Sequence, residues 1–181
     1  MLAPFISPDT DDEEAVLVAW MHAHMGPPDE PALEFLLRLN SAINTDFDYR
    51  TRDEGGVQAP SETVRRLSGT CRDFAWLMVE TLRRLGYAAR FVTGYLHDPA
   101  GAARGAGATH AWCEVFLPDI GWTEFDPTNG LAESADLIPV AATRTPAEAY
   151  PITGTLIGDP GRRELHVKVE VKAGDGLQAA A

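Results

Sequence analysis

The hydrophobic period of this chain changes near its middle. Up to about residue 86, apolar side chains recur at steps of three and four. Beyond it they alternate, or cluster with β-branched and aromatic residues. Val16, Leu17, Trp20, Met21 and Met25 mark an amphipathic helix over about 10–25, after an irregular lead at 1–8, and Gly26-Pro27-Pro28 breaks it. A second helix is predicted from Pro31 to Ile43, burying Leu33, Leu36, Leu37 and Leu39. Phe47-Asp48-Tyr49 reads as a short extended piece, Asp53-Glu54-Gly55-Gly56 as a turn and Ser61 to Leu67 as a short helix. The strongest stripe follows, with Cys71, Phe74, Met78, Leu82 and Leu85 on one face and Gly86 as its stop. Strands are then predicted over Tyr87–Leu96, Thr109–Leu117 and Trp122–Asp126. A small-residue loop spans 98–108, and Asp126-Pro127-Thr128-Asn129-Gly130 carries turn chemistry. Residues 131–150 read as irregular with some helical tendency, with final strands at Leu156-Ile157 and Leu165–Val171. The expected class is α+β, helices first and an antiparallel sheet after them, in one domain over 1–172 with a disordered tail at 173–181.

The strongest helix begins at a cysteine. Thr70 is placed as its N-cap, and Asp73, three residues on, fits the acidic partner of a capping box. Cys71 is then the first helical residue, where unpaired N–H groups and the positive end of the helix dipole favour a thiolate. Its place on the apolar stripe aims the sulfur at whatever the helix packs on.

Composition narrows the function. At 181 residues, 45% hydrophobic and 23% charged, the chain is long enough for a sizeable core and ordinary for a globular protein. A net charge of −12 argues against nucleic acid as a partner. Its acids concentrate in Asp9, Asp11, Asp12, Glu13, Glu14, Asp29 and Glu30, whereas Arg65, Arg66, Arg72, Arg83, Arg84 and Arg90 surround Cys71 in sequence. No apolar run approaches the roughly 20 residues that span a bilayer, and Met1-Leu2-Ala3-Pro4 begins neither a signal peptide nor a lipidation motif, so no membrane partner and a cytoplasmic location are expected. The two cysteines, Cys71 and Cys113, make neither a zinc pair nor a disulfide framework. No cofactor or metal is expected.

Strand alternation supplies companions for Cys71. His110, Trp112 and Glu114 share one face of their strand, and Ala111, Cys113 and Val115 the other, which marks Cys113 as core. If the next strand forms a hairpin with this one, Asp126 lies on the His110 face, directly opposite or one diagonal away. Cys71 as nucleophile, His110 as base and acid, and Asp126 as the group orienting the imidazole make a complete acyl-transfer set. The Cys71 backbone N–H is a natural oxyanion donor.

These residues stand in GTCRDFAWLMVETLRRLGYAARFVTGYL and THAWCEVFLPDIGWTEFDPTNG, which closely resemble the bacterial transglutaminase-like family in order and spacing over about 69–130. Weaker likeness extends to Asn44–Tyr49 and to 152–171. The resemblance implies a papain-like cysteine-proteinase fold, with the nucleophile helix packed on an antiparallel sheet. It implies Cys71, His110 and Asp126 as catalytic residues, a thioester intermediate and no metal. The implied substrate is a protein, peptide or other amide, with hydrolysis favoured over crosslinking transfer to an amine. A non-catalytic binding domain that keeps the fold is the alternative of another class, and three filled triad positions argue against it. Animal members of the family place a tryptophan indole in the oxyanion hole. The only tryptophan before Cys71 is the distant Trp20, so Gln58 and Tyr49 are the candidate second donors. Many bacterial relatives carry a β-rich domain ahead of this core, whereas this chain begins with helices.

Overall fold

The computed structural model describes residues 2–9, 14–52, 55–98, 101, 103–104, 109–150, 152–155, 157–158 and 168–171. The helical half comprises α1 (Ala3–Ile6), α2 (Ala15–Ala23), α3 (Ala32–Asp46), α4 (Pro60–Arg66) and α5 (Cys71–Arg84). Two short strands, β1 (Asp48–Tyr49) and β2 (Ser68–Gly69), pair in parallel beside the start of α5. The second half is an antiparallel sheet of β3 (Ala89–Leu96), β4 (Thr109–Leu117), β5 (Gly121–Asp126), β6 (Leu131–Ala132) and β7 (Leu137–Thr143), in the order β6-β5-β4-β3-β7.

Helix α5 is the centre of the fold because nearly every position on it is buried, from Cys71 to Arg83. Phe74, Leu77, Met78 and Leu82 join Leu36, Leu39 and Ile43 of α3 and Ala111, Cys113 and Phe125 of the sheet in one core. The opposite sheet face holds a smaller cluster of Val92, Leu96, Trp112 and Leu137. The helix ends as the sequence requires. Gly86 takes a positive φ of 87°, and its N–H bonds Arg83 O at 3.0 Å while the Tyr87 N–H bonds Leu82 O at 2.9 Å. That pair of bonds is a Schellman stop, which uses Tyr87 and delays the strand to Ala89.

Several expectations change. The first helix starts at Ala15, with Glu14 as its non-helical N-cap, and ends at Ala23, while 10–13 lie outside the described residues; a single helical turn replaces the irregular lead. In α3, Leu33 and Leu37 are exposed at 37% and 43%, because Phe35, Leu36, Leu39, Asn40 and Ile43 occupy the inward face. The segment 131–150, read as irregular, supplies β6, β7 and a 3₁₀ turn at Pro146–Ala149. Pro139 hides β7 from a propensity reading, yet it is tolerated on an edge strand at a bulge, where it pairs with Gly94. Gly94 is required there, since a Cβ would lie 2.1 Å from Ile138 O and 2.8 Å from the Trp112 ring. Of the predicted late strands, Ile157 and 168–171 are irregular, while Leu156 and 165–167 lie outside the described residues, as do the tail 173–181 and most of 98–108. Among the described residues, no helix is long and apolar enough to cross a membrane.

Candidate active site

Cys71 is the first residue of α5, preceded by Thr70 in an extended conformation, and its side chain packs at the edge of the main core. The turn that holds it is built around Asp73. This fully buried carboxylate accepts from Thr70 N at 2.8 Å and Thr70 Oγ1 at 2.9 Å. It also accepts from Gln58 N at 2.7 Å and from Arg52 Nη2 and Nε at 2.7 and 3.1 Å. Burial opposes its ionisation, but Arg52 and these N–H and O–H donors outweigh it and hold Asp73 below the usual carboxylate range. The capping role read from sequence is therefore one part of a larger function, the pinning of Arg52 and Gln58 against the helix start. Arg52, 21 residues away, carries no local signal of that contact.

The hairpin register places Asp126 one step past the Cys113–Phe125 pair, level with Trp112, so His110 and Asp126 are diagonal neighbours on one face. His110 Nε2 and Asp126 Oδ2 are 2.9 Å apart, both side chains fully buried. Asp126 is fixed in turn by Thr128 N to Oδ1 and Asn129 Nδ2 to Oδ2, each at 2.9 Å. Asn129 was not singled out by sequence reasoning, although its place three residues after Asp126 in a turn is a signal that could have found it. The second ring nitrogen, Nδ1, is buried and makes no closed hydrogen bond. Burial disfavours the charged imidazole, but the Asp126 hydrogen bond and the neighbouring Cys71 sulfur override it, and His110 is pushed up to about 10. The structure thus brings Cys71, His110 and Asp126 together, with the imidazole between sulfur and carboxylate.

Cys71 and His110 open on a cleft of about 260 Å³ whose other walls include Tyr49, Thr51, Thr70, Arg72 and Thr93. Tyr49 reaches it because β1 pairs with β2: Tyr49 stands opposite Gly69, two residues before the sulfur, and Arg50 N bonds Gly69 O at 2.9 Å. Burial, then the charge of Cys71, raises the Tyr49 phenol above its ordinary value. Gln58 stands elsewhere, lining an adjacent cleft with its amide donating to Ser68 O at 3.1 Å. Trp20 packs edge-on against Phe47, 5.7 Å between ring centroids. Cys113 is fully buried in the main core, on the sheet face that packs against α5, where burial pushes its thiol far up.

Residues 20–127 match the family model of the transglutaminase-like superfamily. An uncharacterized protein of Mycobacterium tuberculosis (strain H37Rv) is 35% identical over 162 residues, covering 84% of this chain and 52% of its own. One of Mycobacterium leprae is 32% identical over 128 residues, covering 69% and 45%. The chain spans about half the length of the relatives it matches. Among solved structures, a candidate cysteine protease from Cytophaga hutchinsonii superposes with a TM-score of 0.67 at 25% identity, over 82% of this chain and 48% of its own. LapG of Legionella pneumophila shares the fold, with a TM-score of 0.52 at 19% identity over 70% of this chain and 71% of its own.

Proposed function

The chain belongs to the transglutaminase-like superfamily, and we propose that within it this protein is a thiol hydrolase of amides, with Cys71, His110 and Asp126 as its catalytic residues. The observation that carries this reading is the buried His110, bonded to Asp126 through Nε2 and left with Nδ1 unbonded beside Cys71.

Cys71 attacks the amide carbonyl carbon as a thiolate, with His110 holding the proton as an imidazolium. The tetrahedral oxyanion receives the Cys71 backbone N–H and, as second donor, the Tyr49 hydroxyl. Collapse breaks the C–N bond, the His110 proton leaves with the amine, and a thioester to Cys71 remains. Water then attacks the thioester while His110 takes its proton, and the acid departs as the thiolate re-forms. Asp126 holds the ring orientation throughout, and the imidazolium charge whenever His110 carries the proton. The side chains that line the cleft beside the sulfur include the Thr51, Thr70 and Thr93 hydroxyls and the Arg72 guanidinium, groups that can hold water next to the thioester, which supports water over an amine as the acceptor.

The test is a panel of peptide amides assayed with the parent, Cys71→Ala and His110→Ala. Cleavage should vanish in Cys71→Ala and fall about 100- to 10,000-fold in His110→Ala. Free acid should remain the main product when an amine is added. Full cleavage by Cys71→Ala would end the proposal, and an amide of the added amine as main product would replace hydrolysis by transfer.

A further inference from the structure

The cleft at Cys71 continues past Thr51 and Arg52 into a second, of about 520 Å³, lined by Arg50 and Arg66. Past Tyr49 it meets a third, of about 360 Å³, lined by Arg50 and Arg104. Among the described lining residues of all three, Asp48 alone supplies a carboxylate. This runs against the charge of the chain, which is −12.

The arginines are not equivalent. Arg83 and Arg84 bind Glu80, and Arg90 binds Glu114, all away from the cleft. At the cleft, Arg52 is committed to the buried Asp73 and Arg66 to Glu62. Arg50 makes a pair with Asp48 at 3.2 Å in which both side chains are at least 70% exposed, too wet to hold the guanidinium. The Arg72 and Arg104 guanidinium groups have no acidic partner among the described residues. Arg72 follows the nucleophile directly, lines its cleft, and its charge is felt at the Tyr49 hydroxyl across it.

We propose that this groove selects an acidic peptide as acyl donor, with Arg72 holding a carboxylate beside the scissile amide and Arg50 and Arg104 drawing in acidic residues further along. The proposal rests on the thiol-hydrolase reading and adds its substrate class. A guanidinium fork matches a carboxylate in shape and charge, and an unpaired one needs no internal bond broken before it binds substrate. A local positive field also offsets the repulsion that an acidic substrate meets from the acidic remainder of the protein.

Two measurements that need no turnover test it. The first compares alkylation of Cys71 by iodoacetate and by iodoacetamide, which differ at the sulfur only in charge. The iodoacetate-to-iodoacetamide rate ratio should exceed that of free cysteine about fivefold or more. It should fall toward the free value in about 1 M salt and in Arg72→Gln. The second uses Cys71→Ala protein, to which a labelled peptide of alternating glutamate and alanine should bind about tenfold more tightly than its glutamine counterpart. A free-cysteine ratio, a ratio untouched by Arg72→Gln, or equal binding of the two peptides would overturn the acidic-substrate proposal. In those cases a fast iodoacetamide reaction would still stand for a reactive thiol. A Cys71 inert to both reagents would overturn both readings.

Discussion

Asp73 and Glu80 are fully buried carboxylates about two turns apart on one helix, and each gathers arginine. Their networks reach in different directions. Asp73 binds groups from 52 to 70, so it folds one short segment over the helix start and shapes the wall of the Cys71 cleft. Glu80 accepts from Asp9 N at 3.0 Å and pairs with Arg83, which stacks over Trp76 and donates to Ala89 O and Arg144 O. Arg144 goes on to Pro4 O and Asp9. The far cluster therefore fastens the first and last described elements to the helix, while the near one builds the site. Charge burial alone does not say whether a group serves stability or chemistry; the sequence span of its partners does.

The largest contrast should appear with pH. Each region holds a buried ion pair, His110–Asp126 near the sulfur and Arg83–Glu80 far from it. His110 has an ordinary value of 6.5 and a folded value of about 10, so its contribution to stability is complete below the first and lost as pH rises through the second. Burial lowers Arg83 from its ordinary value while Glu80 opposes this, and the guanidinium keeps its charge across that window. The stability gap between the parent and His110→Ala should shrink as pH approaches 10, and amide cleavage should fall on the same limb. The gap between the parent and Glu80→Ala should stay level. Parallel pH profiles for the two gaps, by denaturant titration, would break the comparison.

Next in size is Glu80→Ala itself. It strands Arg83, whose side chain has no exposure to water, and should cost about 3–5 kcal/mol. Cys71 alkylation in the protein that remains folded should keep the parent rate. Asp73→Asn should cost less, about 2–3 kcal/mol, because Arg52 retains 18% exposure and can rehydrate. Its effect on alkylation should be larger, since Arg52 and Gln58 lose their anchor at the helix start. A Glu80→Ala protein that is folded but unreactive at Cys71, or an Asp73→Asn protein with the parent rate, would reverse the two assignments.

The parts legible in the sequence are those set by local pattern. The α5 stripe, its Gly86 stop and the span Thr109–Leu117 all follow from period and turn chemistry, and the structure has them where predicted. The His110–Asp126 pairing was legible to within a two-residue register shift, because both registers leave the two groups on one face. Strand β7 was not, since Pro139 is disfavoured in a strand unless an edge and a bulge coincide, which only tertiary structure reveals. The same holds for the partners of Asp73 and for Asp9 at Glu80, which are distant in the chain. A local sign of the Glu80 cluster does exist. Glu80, Arg83 and Arg84 stand at helical steps of three and four just after the apolar run Phe74–Val79, the spacing of an internal ion pair.

The smallest expected effect tests how far the site-building region extends. Asn129 lies outside the cleft walls around Cys71, yet its Nδ2 donates to Asp126 at 2.9 Å and its Oδ1 accepts from Arg104 N at 2.8 Å. Asn129→Ala removes one donor from Asp126 and leaves it His110 and Thr128 N, so stability should fall by only about 1 kcal/mol. A carboxylate free to rock would loosen the imidazole it orients, and kcat should drop about tenfold. KM for a short amide that does not reach Arg104 should hold, because the substituted side chain does not line the cleft around Cys71. That split separates positioning from a general weakening of the fold, which would lower stability and leave the rate of the folded enzyme near parent. If kcat were unchanged, Thr128 N alone would suffice to fix Asp126, and the site-building network would end at the turn rather than reach Arg104.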